Sequence, residues 1–332
     1  MNEIQLLLEA VTPIFLFGAA TGNNAQPELR GAPFRGQLRY WYRTLYPNCS
    51  SENLLRLEAQ VFGSTEIGSR VSVITKPKNS RSMPVNAKVV LPHRNHGRFT
   101  LKAFSEGSQF YLTTRVKDRA SIDPLLKSLL LLLNFSGVGK RVRRGFSSLK
   151  VLEMSADTIP DEYQQGLDLL GASEFKNVAE IRQHYSSLLS HVLNDRFNSS
   201  TTIAGFPQDD VSHSYPAFAD GSWCALVTEQ SLGNDYKEAM ENFWHRHLRS
   251  DVIIDHPRDR AFGYANGGRR ASPFHLHMVR AKDGFHLVLI AFNASPMPTT
   301  DSWKKHYKLY QSCLNAYGGA IFFSPERDNN DA

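Results

Sequence analysis

Cysteine is scarce in this 332-residue chain, with three copies at positions 49, 224 and 313. An odd number of cysteines, none of them closely spaced, excludes a disulfide framework and a cysteine-based zinc site. Long apolar runs are also absent, because LLLLL at 129–133 is far short of a bilayer span. The opening MNEIQLLLEA carries an acidic residue where a signal peptide has cations. We therefore expect a cytoplasmic protein with reduced thiols and no membrane partner.

Recognised catalytic and metal-binding motifs are missing as well. His93 and His96 in HRNH, and the HRH at 245–247, lack the carboxylate or third ligand of a zinc site, so we predict surface histidines. Asp209 and Asp210 are adjacent carboxylates of a kind that usually points to solvent rather than to magnesium. No serine lies in a nucleophile elbow. The sequence thus predicts no metal, no cofactor and no catalytic set.

What the chain does contain is a mixed pattern of strands and helices. In the first half the order is strand, helix, strand, strand, helix, strand, which is the split βαβ plan of a ferredoxin-like, RRM-like domain with an antiparallel sheet. The predicted segments are a strand in EIQLLLEAVTPIFLF, a helix in FRGQLRYWYRTLY, strands in RVSVITK, RFTLKAF and QFYLTTRV, a helix from SIDP to Phe135, and a strand in SSLKVLE. We expect RFTLKAF to pair with QFYLTTRV as a hairpin, and Asp123 to cap the second helix.

The second half has a weaker pattern. A hairpin around KDG joins FHLHMVRA to GFHLVLIAF, and WKKHYKLYQSCLNAYGG reads as a helix that ends at glycine. Three more helices are predicted in DEYQQGLDLL, EFKNVAEIRQHYSSLLSHVLN and DYKEAMENFWHRHLRS, the second of them partly as a linker. We predict an α+β protein of two ferredoxin-like domains, residues 1–157 and a divergent 158–332 with a helical insertion.

Two basic segments in the first domain point to RNA. Arginines 35, 39 and 43 recur at i, i+4 and i+8 on the first helix, beside the aromatic run Tyr40, Trp41 and Tyr42. Aromatic planes and guanidinium groups are what unstacked bases and phosphates require, although a helical charge stripe can be a solvated face and Trp41 can be core.

The second segment is GVGKRVRRGF at 137–146, between a predicted helix and a strand, which we call the basic loop. Its glycine spacing fits neither a dinucleotide fingerprint nor a Walker loop. Gly137 and Gly139 allow backbone N–H groups to approach a phosphate, while the cations supply charge, the alternative being an ordinary solvated turn. The four cations are Lys140, Arg141, Arg143 and Arg144. A similar glycine-basic group, with Arg269 and Arg270, precedes a strand in the second half.

These segments resemble the RAMP superfamily of CRISPR proteins, and most closely the family of first subunits of the type III-B (Cmr) effector complex. The resemblance lies in LRGAPFRGQLRYWYRTL, VFGSTEIGSRVSV, GVGKRVRRGF and GGRRASPFHLHM. It implies an antiviral RNA-binding subunit that contacts guide RNA and target RNA toward the 3′ part of the guide without cleaving it, alongside other RAMP subunits. The RNA contacts that it implies are Arg35, Arg39, Trp41, Arg43, Gly137, Gly139, Lys140, Arg141, Arg143, Arg144, Arg269 and Arg270.

Two other functions stay open at this point. A metal-independent RAMP endoribonuclease that processes guide precursors needs little more than a well-placed histidine, and His93, His96 and His213 are the candidate bases. A purely structural cap, in contact with neighbouring subunits alone, is the third possibility.

Overall fold

The computed structural model of the chain describes residues 2–18, 25–91, 99–172, 174–202, 215–248, 274–294 and 302–324. It is a mixed structure of helices and antiparallel sheets, as expected for the α+β class. The chain divides into two compact units, Met1–Arg43 with Cys49–Glu174 and Thr44–Asn48 with Phe175–Ala332. Within the described ranges, no helix is both long and apolar enough to cross a membrane.

The first unit contains a four-stranded antiparallel sheet in the order β2-β5-β1-β6. Its strands are β1 (Asn2–Ala10), β2 (Val71–Pro77), β5 (Gln109–Val116) and β6 (Leu149–Asp157), and a separate two-stranded ribbon joins β3 (Val85–Leu91) to β4 (Phe99–Phe104). The helices are α1 (Gly31–Thr44), α2 (Ser51–Phe62), α3 (Ile122–Phe135) and α4 (Gln164–Gly171). Ile4, Leu6, Leu7 and Leu8 of β1 are at most 1% exposed, so the middle of this central strand is buried on both faces.

Two local predictions for this unit were wrong. The strand at 99–104 does not pair with the one at 109–116, because β5 is already bonded along both edges, to β1 and to β2. Strand β4 instead pairs with β3, and its last residue, Phe104, forms a backbone bridge with Ile14. Asp123 does not cap α3, since the helix starts one residue before it; Asp118 caps the preceding 3₁₀ turn by accepting the Ser121 amide at 2.9 Å.

The second unit contains a five-stranded antiparallel sheet in the order β7-β11-β8-β10-β9. Its strands are β7 (Asn198–Ser200), β8 (Trp223–Thr228), β9 (Phe274–Ala281), β10 (Gly284–Phe292) and β11 (Gly319–Phe323). The helices are α5 (Val178–Leu193), α6 (Tyr236–Glu241), a π-helix over Asn242–Leu248, and α7 (Ser302–Tyr317). The KDG hairpin and the helix ending before Gly318, which has a φ of +61°, confirm the sequence prediction.

Helix α5 is part of this unit and not a linker. The bridge of Phe175 to Ala281 lies at the β9 edge, and β7 lies at the opposite edge, so the helix between them crosses the sheet. Its buried residues include Ile181, Tyr185 and Leu188, each 0% exposed. This apolar contact explains why the helix packs on the sheet instead of spanning solvent.

Candidate nucleic-acid interface

The basic loop is anchored in the core of the first unit by its apolar residues. Val138 is 0% exposed, Val142 is 6% exposed and Phe146 is 2% exposed. The Phe146 ring meets the ring of Phe15 edge to face, with 5.0 Å between centroids. Because the apolar side chains point inward, the cations between them are held at the surface on a fixed backbone.

The glycines of the loop allow it to close against neighbouring backbone. Gly139 has a φ of +96°, and a Cβ placed on it would lie 2.3 Å from the carbonyl oxygen of Phe15. A Cβ on Gly137 would lie 2.0 Å from the carbonyl oxygen of Ser147. Real Cβ atoms do not approach backbone this closely, so packing alone requires glycine at both positions.

A buried hydroxyl network fixes the end of the loop. Thr12 Oγ1 donates to the Gly145 carbonyl at 2.8 Å and accepts the Ser148 amide at 3.0 Å. The Ser148 hydroxyl also donates to the Gly145 carbonyl, at 3.2 Å. At the other end, the Lys140 amide donates to the Phe15 carbonyl at 2.9 Å. The segment that follows β1 thus holds the loop at both ends.

Two cations of the loop have no acidic partner within the described part of the chain. Lys140 is exposed, with Nζ 4.6 Å from the centroid of the Phe17 ring. Arg141 is half-buried in a left-handed conformation, with a φ of +63°, and burial lowers the pKa of its guanidinium. A partly desolvated cation without a counter-charge is a favourable site for a phosphate.

The loop and the helix α1 meet at Tyr40. The guanidinium of Arg143 lies 5.0 Å from the centroid of the Tyr40 ring. Burial raises the pKa of Tyr40, and the positive charges of Arg143 and Arg43 oppose that rise. The structure therefore brings together two segments that are about a hundred residues apart, as one basic surface.

The arginine stripe of α1, Arg35, Arg39 and Arg43, is only partly available. Arg35 is exposed. Arg39 and Arg43 form ion pairs with Glu58 of α2 at 3.4 and 3.1 Å, and Glu58 is 4% exposed. Arg39 also donates to the carbonyls of Phe62, at 2.8 Å, and Gly63 at the end of α2. Arg35 and Arg39 line a groove of about 430 Å³ beside β2.

Trp41 belongs to the core. It is 0% exposed and packs against the rings of Tyr40 and Phe135, with centroids 5.3 and 6.1 Å away. The ring is therefore not accessible to a base, and the stacking role is corrected to a packing role. Phe34 and Leu38, seven and three residues before Trp41, complete the same buried face of α1, which is the helical spacing expected from the sequence.

Several candidate residues lie outside the described ranges, namely Arg269, Arg270, His93, His96, His213, Asp209 and Asp210. His247, predicted at the surface, is 5% exposed and bonds to Ser312 at 2.8 Å and Tyr317 at 3.2 Å. No group of three metal-ligating side chains occurs among the residues with described positions.

Glu58 is a residue of this site that the sequence analysis missed. The feature that could have revealed it is an acidic residue at helical spacing between the apolar Leu54 and Val61, on the buried side of α2.

Comparison with known proteins gives consistent matches. A sequence profile of the RAMP superfamily matches residues 7–150. The Cmr subunit Cmr1-1 of Pyrococcus furiosus is 25% identical over 300 residues, which cover 82% of each chain. Cmr1-2 of the same organism is 28% identical over 192 residues, 46% of this chain and 96% of that protein.

Solved structures share the fold. The crystal structure of apo Cmr1 from Pyrococcus furiosus has a TM-score of 0.56 at 22% identity, covering 90% of both chains. A chain in a cryo-EM structure of the type III-B Cmr-beta complex bound to cognate target RNA has a TM-score of 0.60 at 12% identity, covering 94% of this chain and 99% of that one. Residues 7–150 thus resemble the RAMP superfamily, and the chain is similar to the Cmr subunit Cmr1-1 over most of its length.

Proposed function

We propose that the chain is an RNA-binding subunit of a type III-B CRISPR (Cmr) effector complex, which contacts guide or target RNA toward the 3′ part of the guide and does not cleave it. The observation that carries this proposal is that the backbone of the basic loop is fixed by its buried apolar residues and by hydrogen bonds to residues 12–15. Lys140 and Arg141 stand on a fixed backbone, and within the described residues no acid neutralises them. Phosphate contacts of this kind position an RNA backbone without reading its sequence.

Strand order supports the proposal of two ferredoxin-like domains. The elements β1, α1, β2, β5, α3 and β6 form the sheet β2-β5-β1-β6. The elements β8, α6, β9, β10, α7 and β11 repeat that order as β11-β8-β10-β9. Both are the split βαβ arrangement. We retain 1–157 and 158–332 as the two proposed ferredoxin-like domains, with α4 as an addition that packs in the first compact unit and with α5 and β7 as additions to the second.

Similarity to Cmr1 supports the proposed partners, which are guide RNA, target RNA and other RAMP subunits. Within the complex, the role of this chain is to hold RNA rather than to react with it. The sequence has no nucleophile motif and no metal-ligand spacing that would supply cleavage chemistry.

A four-residue variant tests the basic loop. Replacing Lys140, Arg141, Arg143 and Arg144 by alanine should weaken binding to unrelated single-stranded RNA sequences by similar factors. Each phosphate contact on a single strand contributes about 0.7 to the slope of log K against log salt, so losing four contacts flattens the slope by at most about 2.8. Fluorescence anisotropy over a salt series measures both quantities.

The matched control removes four exposed cations of the second unit, Lys176, Lys237, Arg280 and Lys282. That variant should keep the wild-type affinity and slope. The loop variant should stay folded by circular dichroism, because its anchors Val138, Val142 and Phe146 are untouched. Wild-type affinity and slope in a folded loop variant would refute the proposal, and site-specific RNA cleavage lost in His93→Ala or His213→Ala would replace it with a processing nuclease.

A further inference from the structure

The second unit has an open groove of its own. It has a volume of about 740 Å³, within the range of ligand sites in proteins. One wall is the outward side of α5, the other is β7 with Thr201, and the floor is β11. The lining side chains are mostly small and uncharged: Ala179, Arg182, Gln183, Ser186, Ser187, Ser199, Ser200, Thr201, Ala320 and Phe322.

The charge of this lining argues against RNA. Its one charged side chain is Arg182, whose guanidinium lies 3.4 Å from the Glu229 carboxylate. A single strand brings one negative charge for each nucleotide, and grooves that hold it supply cations along the backbone. Phe322 is 2% exposed, so its ring is not available for stacking on a base.

The hydrogen-bonding groups of the groove fit a polypeptide. Five hydroxyls and one amide offer donors and acceptors without net charge. The strand β7 is the edge of its sheet and, in the described structure, pairs with β11 alone. An edge strand beside a groove is the geometry in which an extended peptide adds to a sheet, with alternate side chains entering the groove.

We infer that this groove docks an extended, uncharged polar polypeptide segment of a neighbouring subunit in the effector complex. The inference rests on the proposed function for the identity of the assembly. The segment bonds to the edge of β7 that has no partner among the described residues, and its side chains meet the hydroxyls of Ser187 and of Ser199, which shares the sheet face of Phe322. The small size of these residues leaves room for the incoming side chains.

Two tryptophan variants test the groove from opposite walls. Gln183→Trp on α5 and Thr201→Trp beside β7 are changes at exposed positions, so both proteins should fold. Each should weaken incorporation into a complex reconstituted from the other subunits and guide RNA by about tenfold or more, because a ring blocks the groove. Native mass spectrometry of a subunit titration measures incorporation. Gln311→Trp, at an exposed position of α7 outside the groove, is the matched control and should assemble normally.

RNA affinity of the isolated variants separates this inference from the proposed function. Groove variants that assemble poorly yet bind RNA like the wild type support it. Normal assembly of both folded variants overturns it, whatever the basic-loop variant does. The inference is also overturned if the groove variants bind RNA more weakly than the wild type while the basic-loop variant still shows its own loss of affinity, because the occupant of the groove would then be RNA.

Discussion

At the residue scale, Glu58 neutralises part of the charge of the arginine stripe, which is one of the proposed RNA contacts. Its carboxylate is buried and lies within ion-pair distance of both Arg39 and Arg43. The two arginine side chains remain about a third exposed, at 32% for Arg39 and 38% for Arg43. Arg43 can therefore face a phosphate while Glu58 offsets part of its charge, whereas Arg39 is less available because it also donates to the carbonyls of Phe62 and Gly63.

Replacing Glu58 by glutamine should strengthen RNA binding at low salt. Two cations would lose their counter-charge, and the slope of log K against log salt would steepen by at most about 1.4. The free energy of unfolding should fall by about 1–2 kcal/mol because two ion pairs to a buried carboxylate are lost, and the loss stays small because the partly exposed arginines recover hydration. Salt-dependent anisotropy and urea melts measure the two effects. Glu52→Gln, at an exposed position of α2, is the control, and an unchanged slope in Glu58→Gln would mean that Arg39 and Arg43 do not face phosphate.

Residue patterns predicted the buried side of α1 but not the chemistry of each residue. Phe34, Leu38, Trp41 and Leu45, at spacings of four, three and four, predicted one buried face. The first three are buried, but Leu45 follows the end of α1 and is only partly buried. The same spacing cannot distinguish a core tryptophan from a stacking one, because both suit an amphipathic helix. The partner of Arg39 and Arg43 was not predictable either, because Glu58 comes from a helix that no motif placed beside α1.

At the element scale, the basic loop is a rigid part of the first sheet's framework. Its position between a helix and a strand was predicted from composition and periodicity. Its closure against residues 12–15 was not, because those bonds join positions more than a hundred residues apart. The wrong pairing of β4 with β5 has a similar cause. The hairpin rule considers only strands that are neighbours in the sequence, whereas β5 pairs with β1 and β2, which are distant in the sequence.

Gly139→Ala should disturb the loop as a unit. A left-handed φ and a clash with the Phe15 carbonyl together should lower the free energy of unfolding by about 1–3 kcal/mol. RNA affinity should fall as well, because Lys140 and Arg141 follow this residue directly. Gly68→Ala is the control: nothing lies within 4 Å of the added Cβ, and stability should stay constant or rise by up to about 1 kcal/mol. Denaturant melts that do not separate the two variants would contradict the tight closure.

At the scale of the whole molecule, buried histidines belong to the second unit. His275, His286 and His306 are 0% exposed, and every histidine in the described ranges lies in this unit. Burial lowers the pKa of His184 to about 4, and it also lowers the pKa of His247. The unfolded chain, with an ordinary histidine pKa near 6.5, binds more protons below that pH, so acid favours unfolding of this unit.

Stability of the second unit should therefore fall as the pH drops from about 6.5 toward 4. His184 alone should remove about 2 kcal/mol at pH 5 relative to neutral pH. Hydrogen exchange measured at pH 7 and pH 5, corrected for intrinsic rates, should show loss of protection in β8 and β10 before β1 and β5. His184→Gln should reduce this pH dependence. Equal losses in both sheets would contradict the assignment of acid sensitivity to one unit.

The short segment Thr44–Asn48 has a consequence for the order of events during synthesis. It is grouped with the second unit, where the Phe218 amide donates to the Thr44 carbonyl at 2.9 Å. It leaves the ribosome about 130 residues before Phe175, the start of the rest of that unit. At about 5–20 residues per second, Phe175 follows the segment after roughly 6 to 26 s, and its partner Phe218 follows Thr44 after roughly 9 to 35 s. The nascent second unit can be completed only on a part of the chain made much earlier, so its maturation depends on translation speed.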